Sequence, residues 1–80
     1  MNEPEIMINN IRQDACNEIT NAIEMHGDSD WQLIYEEMYE QLYMDQGGEY
    51  ISGFINVIDE TYANFKKSYW AEQRILENAK

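Results

Sequence analysis

The chain has 80 residues, with sixteen Asp and Glu against five Lys and Arg, a formal net charge of −11, and a single cysteine. That length limits it to one domain with a thin core. Cys16 cannot close an intramolecular disulfide and suits a reducing compartment, and the negative charge repels nucleic acid and anionic membranes while attracting basic surfaces. No apolar run approaches the ~20 residues of a membrane span, and the acidic start MNEPEIM lacks the basic n-region of a signal peptide, so a cytoplasmic chain is expected.

The first predicted helix covers about residues 3–26. Asn2 is placed to N-cap it, and Pro4 fits a first turn, where its missing N–H costs nothing. Glu3 and Glu5 complement the helix dipole there. Its apolar face reads Ile8, Ile11, Ala15, Ile19 and Ala22, with Ile23 beside it and Met7 and Met25 on its flanks. Gly27 offers a left-handed stop.

Asp28-Ser29-Asp30 predicts a turn, and Ser29 with Gln32 matches a capping box. The second helix is expected over about residues 30–46, ending at Gly47-Gly48. Trp31, Ile34 or Tyr35, Met38 and Leu42 form its apolar face, and Glu36, Glu37 and Glu40 its charged side. Tyr39 and Tyr43 lie at the margins, where a ring is buried and its hydroxyl stays wet.

A third helix is predicted over about residues 49–78. Ile51, Ile55, Ile58, Tyr62, Phe65, Tyr69 and Leu76 repeat at spacings of three and four, with Glu72 in the gap. Ser52-Gly53 is a weak point, because Gly costs up to ~1 kcal/mol against Ala inside a helix. The expected architecture is therefore all-α: residues 1–80 form one acidic domain, with two shorter helices packed on a long C-terminal helix. Tyr69, Trp70, Ile75 and Leu76 outrun the second helix, so either the first helix or a second copy must cover them. A two-fold homodimer follows as one solution.

Enzymatic and metal chemistry find little support. His26, Asp28 and Asp30 are close in sequence, but a helix end followed by a capped turn explains them. The calcium-loop pattern fails, with Leu33 in place of its glycine and Tyr39 in place of its final glutamate. One His and one Cys leave almost no nucleophile–base machinery, and Glu36, Glu37 and Glu40 sit on a solvated face rather than in a pocket. No enzyme, metal or cofactor is expected.

Charge is the remaining signal. Residues 1–60 hold fourteen acids and only Arg12 as a base, whereas residues 61–80 hold Lys66, Lys67, Arg74 and Lys80 against Glu72 and Glu77. Ordinary helices interleave acids and bases at i, i+4 for support. Sixty residues that forgo this accept self-repulsion, and a rigid carboxylate array fits a basic groove built for phosphates. Disorder is the alternative for so acidic a chain, but six Tyr, two Trp, two Phe and regular apolar spacing argue against it.

With its acidic first sixty residues, Glu36-Glu37…Glu40 and the aromatic helix 31-WQLIYEEMYEQLYM-44, the chain resembles small acidic DNA mimics encoded by phages and mobile elements, of the antirestriction and anti-CRISPR type. The resemblance is compositional and aligns no motif. It implies a stoichiometric inhibitor that occupies the nucleic-acid-binding surface of a defence or DNA-processing complex in an infected bacterial host. The acidic contact residues are then Asp28, Asp30, Glu36, Glu37, Glu40 and Asp45. Lys66, Lys67, Tyr69, Trp70, Arg74 and Leu76 are read as a second contact surface, for a partner protein or another copy. The competing readings are an adaptor acting through apolar helix surface and a regulator touching DNA through Lys66, Lys67 and Arg74.

Overall fold

The computed structural model describes residues 3–78, with side chains from Glu5 to Glu77. Within them the chain forms α1 (Glu3–His26), α2 (Trp31–Gln46), α3 (Gly48–Ser52) and α4 (Ile55–Asn78). The all-α class, with a long C-terminal helix packed against the others, is as expected; α1 equals α4 at 24 residues. The proposed cap at Asn2 lies outside the described residues.

Each stop has a local cause. Gly27 adopts φ 83°, and its N–H donates to the Ile23 carbonyl at 2.8 Å. That left-handed geometry favours glycine and ends α1 as anticipated. The capping box does not form. Asp30 is the N-cap, accepting from the Leu33 N–H at 3.1 Å, which moves the start of α2 one residue beyond the predicted Ser29 cap. Asp accepts this bond as well as Ser does, and the carboxylate adds a favourable dipole interaction. Gly47 (φ 90°) closes α2 through its N–H to the Tyr43 carbonyl, and its own carbonyl accepts from the Ile51 N–H to open α3.

The predicted third helix is two helices. Gly53 donates to the Tyr50 carbonyl (3.2 Å) and Phe54 to the Ile51 carbonyl (2.9 Å), so i→i−3 bonds replace the α pattern for one turn before α4 begins. The break shifts the helical phase. Ile51 and Ile58 are both fully buried, but Ile55, between them on the predicted seam, is exposed. The vacated position is filled by Phe54 and Val57, which pack on the core.

The core is one cluster. Ile11, Ala15, Ile19 and Ala22 of α1 meet Trp31, Ile34, Met38 and Leu42 of α2, with Ile51 and Ile58. These are the expected faces of α1 and α2, except that Ile8 is only half-buried and lies outside the cluster. Thr61 is also buried, and its hydroxyl donates to the Val57 carbonyl at 2.7 Å. That back-bond satisfies the hydroxyl locally and lets a polar side chain occupy a core position.

The direction of α4 follows from its partners. Asp59 meets Tyr35, Tyr62 meets Trp31, and Tyr69 meets Asp28. Partners recede along α2 as α4 advances, so these two helices are antiparallel, and α4 continues past the 27–30 turn. Its last two turns overhang the bundle. Neither α1 nor any other described element covers them, and Ile75 and Leu76 remain 68% and 53% exposed. The extents of 44 × 28 × 16 Å and radius of gyration of 13.8 Å reflect this overhang; a compact 80-residue domain would give about 12 Å.

Candidate functional site

The acidic surface is almost uncompensated. Among the described residues one pair of a basic side chain and a carboxylate lies within 4 Å: His26 Nε2 to Glu37 Oε1, at 3.8 Å. Arg12, Lys67 and Arg74 pair with no described acid. Lys66 instead places Nζ 5.8 Å from the Trp31 ring centre, a cation–π contact. Among the described residues Lys66, Lys67 and Arg74 thus form no ion pair with an acid of a neighbouring helix.

The six predicted acidic contact residues do not form one surface. Asp28 accepts from the Tyr69 hydroxyl at 2.7 Å, and Asp30 is engaged as the α2 cap. Glu36 and Glu40 are both exposed and four residues apart, so they share a face of α2. Glu36 also accepts from the Gln32 side chain. Glu37 lies about 100° further round the helix. It is half-buried in a cleft of 390 Å³ between α1 and α2, shared with Glu18, Ala22, Glu24, Met25 and Gln41. Asp45 is exposed at the far end of α2.

The acids on α1 complete the picture. Burial pushes the Glu18 carboxyl above its ordinary range, and the negative charges of Asp45 and Asp14 push it further the same way. Desolvation and like charge both disfavour ionisation, and no base offsets them. Asp14 accepts from the Gln46 amide at 2.8 Å, which ties the C-terminal end of α2 to the middle of α1. Asp14 and Glu18 are not among the six contact residues expected from the sequence, although their spacing along α1 puts them on one edge of its apolar face.

The basic and aromatic end is organised by Trp31. This residue opens α2 and is 8% exposed. Tyr62, Tyr69 and Trp70 surround it at centroid distances of 6.1, 5.6 and 6.2 Å. Trp70, 41% exposed, therefore rests on α2 rather than on α1. Three hydroxyls fasten this joint: Tyr35 to Asp59, Tyr62 to the Trp31 carbonyl and Tyr69 to Asp28, each at 2.7 Å. The bond to Asp59 and burial together push the Tyr35 phenol up to about 12. Tyr62 is raised by burial and the Asp30 charge, and Tyr69 chiefly by its bond to Asp28. The indole N–H of Trp31 is buried and lacks an acceptor.

Cys16 lines a shallow groove between α1 and α4, where burial pushes its thiol up, away from the reactive thiolate. Among the described residues no three His, Cys, Asp or Glu side chains converge as metal ligands, and no helix is long and apolar enough to cross a membrane. No protein-family model matches the chain, and no curated protein or solved structure matches it significantly.

Proposed function

We propose that this protein is an acidic helical inhibitor that occupies the basic nucleic-acid-binding surface of a defence or DNA-processing complex, in the manner of a DNA mimic. One observation carries the reading: the carboxylates of α1 and α2 stand on a rigid two-helix scaffold almost without counter-charges. Such a surface is costly for stability, since like charges repel. It releases that repulsion on meeting a basic groove, with the steering and counterion release that nucleic acid itself exploits. Glu36 and Glu40, exposed and side by side, are the centre of the contact face. Asp45 extends it along α2.

The test is capture from a bacterial lysate on immobilised chain, followed by elution with competing duplex DNA. DNA-binding proteins should be retained, displaced by DNA, and lost when salt rises from about 0.05 to 0.2 M. The double variant E36K/E40K should retain them poorly with its helicity intact. Capture that ignores both DNA and these substitutions would sink the reading.

The exposed Ile75 and Leu76 support a second reading, an adaptor that binds a partner protein through the apolar α4 overhang. That binding would resist salt and fail in L76A.

A further inference from the structure

A groove of 580 Å³ runs between α1 and α4 and is lined by those two helices alone. Arg12 and Cys16 stand on its α1 wall, and Glu60, Asn64 and Ser68 on its α4 wall. Thr61 is buried and Phe65 half-buried at its floor. One base and one acid therefore face the groove, from opposite walls.

The helix directions fix where these charges lie. Gln46 of α2 reaches Asp14 of α1, and Glu37 reaches His26, so α2 runs antiparallel to α1 as it does to α4. Accordingly, α1 and α4 run the same way. Arg12 and Glu60 come first on their walls, which puts them at the same end of the groove. Neither has an oppositely charged described group within 4 Å. Arg12 also borders a shallow depression with Glu5, Ile8 and Asn9, and no ion pair forms there either. Both walls continue into an isoleucine. Ile23 stands eleven residues beyond Arg12 and seven beyond Cys16, and Ile75 stands eleven beyond Asn64 and seven beyond Ser68. Each spacing returns to within about 20° of the same direction round the helix. Ile23 packs on the core, whereas Ile75 is 68% exposed.

We propose that this α1–α4 face binds the same face of a second copy, about a two-fold axis that runs along the groove. Such an axis lays α1 of each molecule over α4 of the other, in the same direction and at the same level. Arg12 then meets the partner's Glu60 while Glu60 meets the partner's Arg12. Both pairs form together because both residues lie on one face, as an isologous interface requires. Charge complementarity selects a copy as the occupant: a base on one wall and an acid at the same level of the other is the self-complementary pattern for this axis. Ile75, left bare by its own molecule, gains apolar cover from the end of the partner's α1. Glu36 and Glu40 stay on α2, outside the contact. The inference does not depend on the inhibitor reading, and its test touches neither of those residues.

Sedimentation equilibrium of the whole chain tests it. The wild type should approach twice the 9.5 kDa chain mass as concentration rises through the micromolar range. R12E sets acid against acid at both contacts, and E60R sets base against base. Each alone should be monomeric, with a dissociation constant raised about tenfold or more. Mixed in equal amounts they should form a heterodimer, because both contacts then join opposite charges, and the double variant R12E/E60R should dimerise like the wild type. I75A should weaken the wild-type dimer with its charges unchanged. All three positions are exposed, and circular dichroism checks that helicity survives; where a reversal unfolds the chain, neutral R12Q must still raise the dissociation constant. A wild type that stays at 9.5 kDa, a dimer indifferent to R12E, or folded R12E and E60R chains that ignore each other on mixing would each overturn the proposal. So would a monomer that retains a bacterial protein through Arg12, since the groove would then belong to a different partner.

Discussion

Two of the joints in this small bundle are made of different materials; α1 also packs on α4. Between α1 and α2 the contact is aliphatic: Ile11, Ala15, Ile19 and Ala22 against Ile34, Met38 and Leu42, all buried. Between α2 and α4 it is aromatic and hydroxylic, with Trp31 and Tyr35 reaching Tyr62, Tyr69 and Trp70. Small alanines let α1 and α2 pack closely. Large rings span the wider gap to α4 and keep their oxygens at the edge, where Asp28, Asp59 and a backbone carbonyl receive them. The aliphatic joint draws on burial, and its buried side chains carry no ionisable group. The aromatic joint spends three acid–base-active groups on its geometry, and that makes it breakable in ways the first is not.

The largest expected effect is at the hub of the aromatic joint. W31A should destabilise the chain by about 3–5 kcal/mol, a large part of the 5–15 kcal/mol that small domains possess. I34A on the aliphatic side should cost about 2–5 kcal/mol. W31F should cost clearly less than W31A, because it removes the buried indole N–H that has no acceptor along with part of the ring. Urea unfolding followed by circular dichroism measures all three.

Alkali should separate the joints next. Tyr35, Tyr62 and Tyr69 all have pKa values raised in the folded state. A phenol with a raised folded pKa contributes stability that is complete below its unfolded value near 10 and lost as pH rises through the folded value. The aromatic joint should therefore loosen between pH 10 and about 12, the value for Tyr35. Tyr35 keeps contact with water, so its share is about 1 kcal/mol after solvent screening. Titration at 295 nm should show late ionisation, and Y35F should remove the latest step.

Smaller effects sharpen the picture at the edges. Gly53 has φ −73°, and a Cβ there would meet the Tyr50 carbonyl at an ordinary 3.5 Å. G53A should thus stabilise by about 0.4–1 kcal/mol, since the native backbone already suits alanine. The smallest effect belongs to the aliphatic joint's acidic edge. The folded pKa of Glu18 is raised, so the neutral acid is favoured at low pH and that advantage disappears as pH rises through the folded value. At pH 7 the charged form is a liability, and E18Q should raise the melting temperature there, by less than about 1 kcal/mol in stability. The gain should vanish well below the unfolded value near 4.5, where the carboxyl is neutral in both the folded and the unfolded chain.

The two joints also differ in how far they could be read from the sequence. The aliphatic faces of α1 and α2 were legible because a 3.6-residue repeat of Ile, Ala, Met and Leu has one structural meaning. The seam of α4 was legible from Ile58 to Tyr69 and wrong at Ile55, because i→i−3 bonds at Gly53 and Phe54 reset the phase. Ser52-Gly53 signalled weakness there without its size. The tyrosine–aspartate bonds join residues 24 and 41 apart in sequence. No local pattern announces such a pair. The same holds for the candidate contact surface. Glu36, Glu37 and Glu40 looked like one charged side, yet Glu37 turns into the α1–α2 cleft and the other two do not. Which edge of a helix meets a neighbour depends on where that neighbour lies, and composition carries no such information.

The indoles of Trp31 and Trp70 stand 6.2 Å apart with their planes inclined by 56°. Chromophores so close and so tilted share their excitation, and the chain has only these two tryptophans. Their coupled transitions should give a signed pair of bands in near-ultraviolet circular dichroism, a signal that depends on fixed tertiary packing. Because one indole opens α2 and the other sits where α4 leaves the bundle, this label-free signal reports the docking of α4 itself. It should fade as the hydroxyl bonds break in alkali while far-ultraviolet helicity persists.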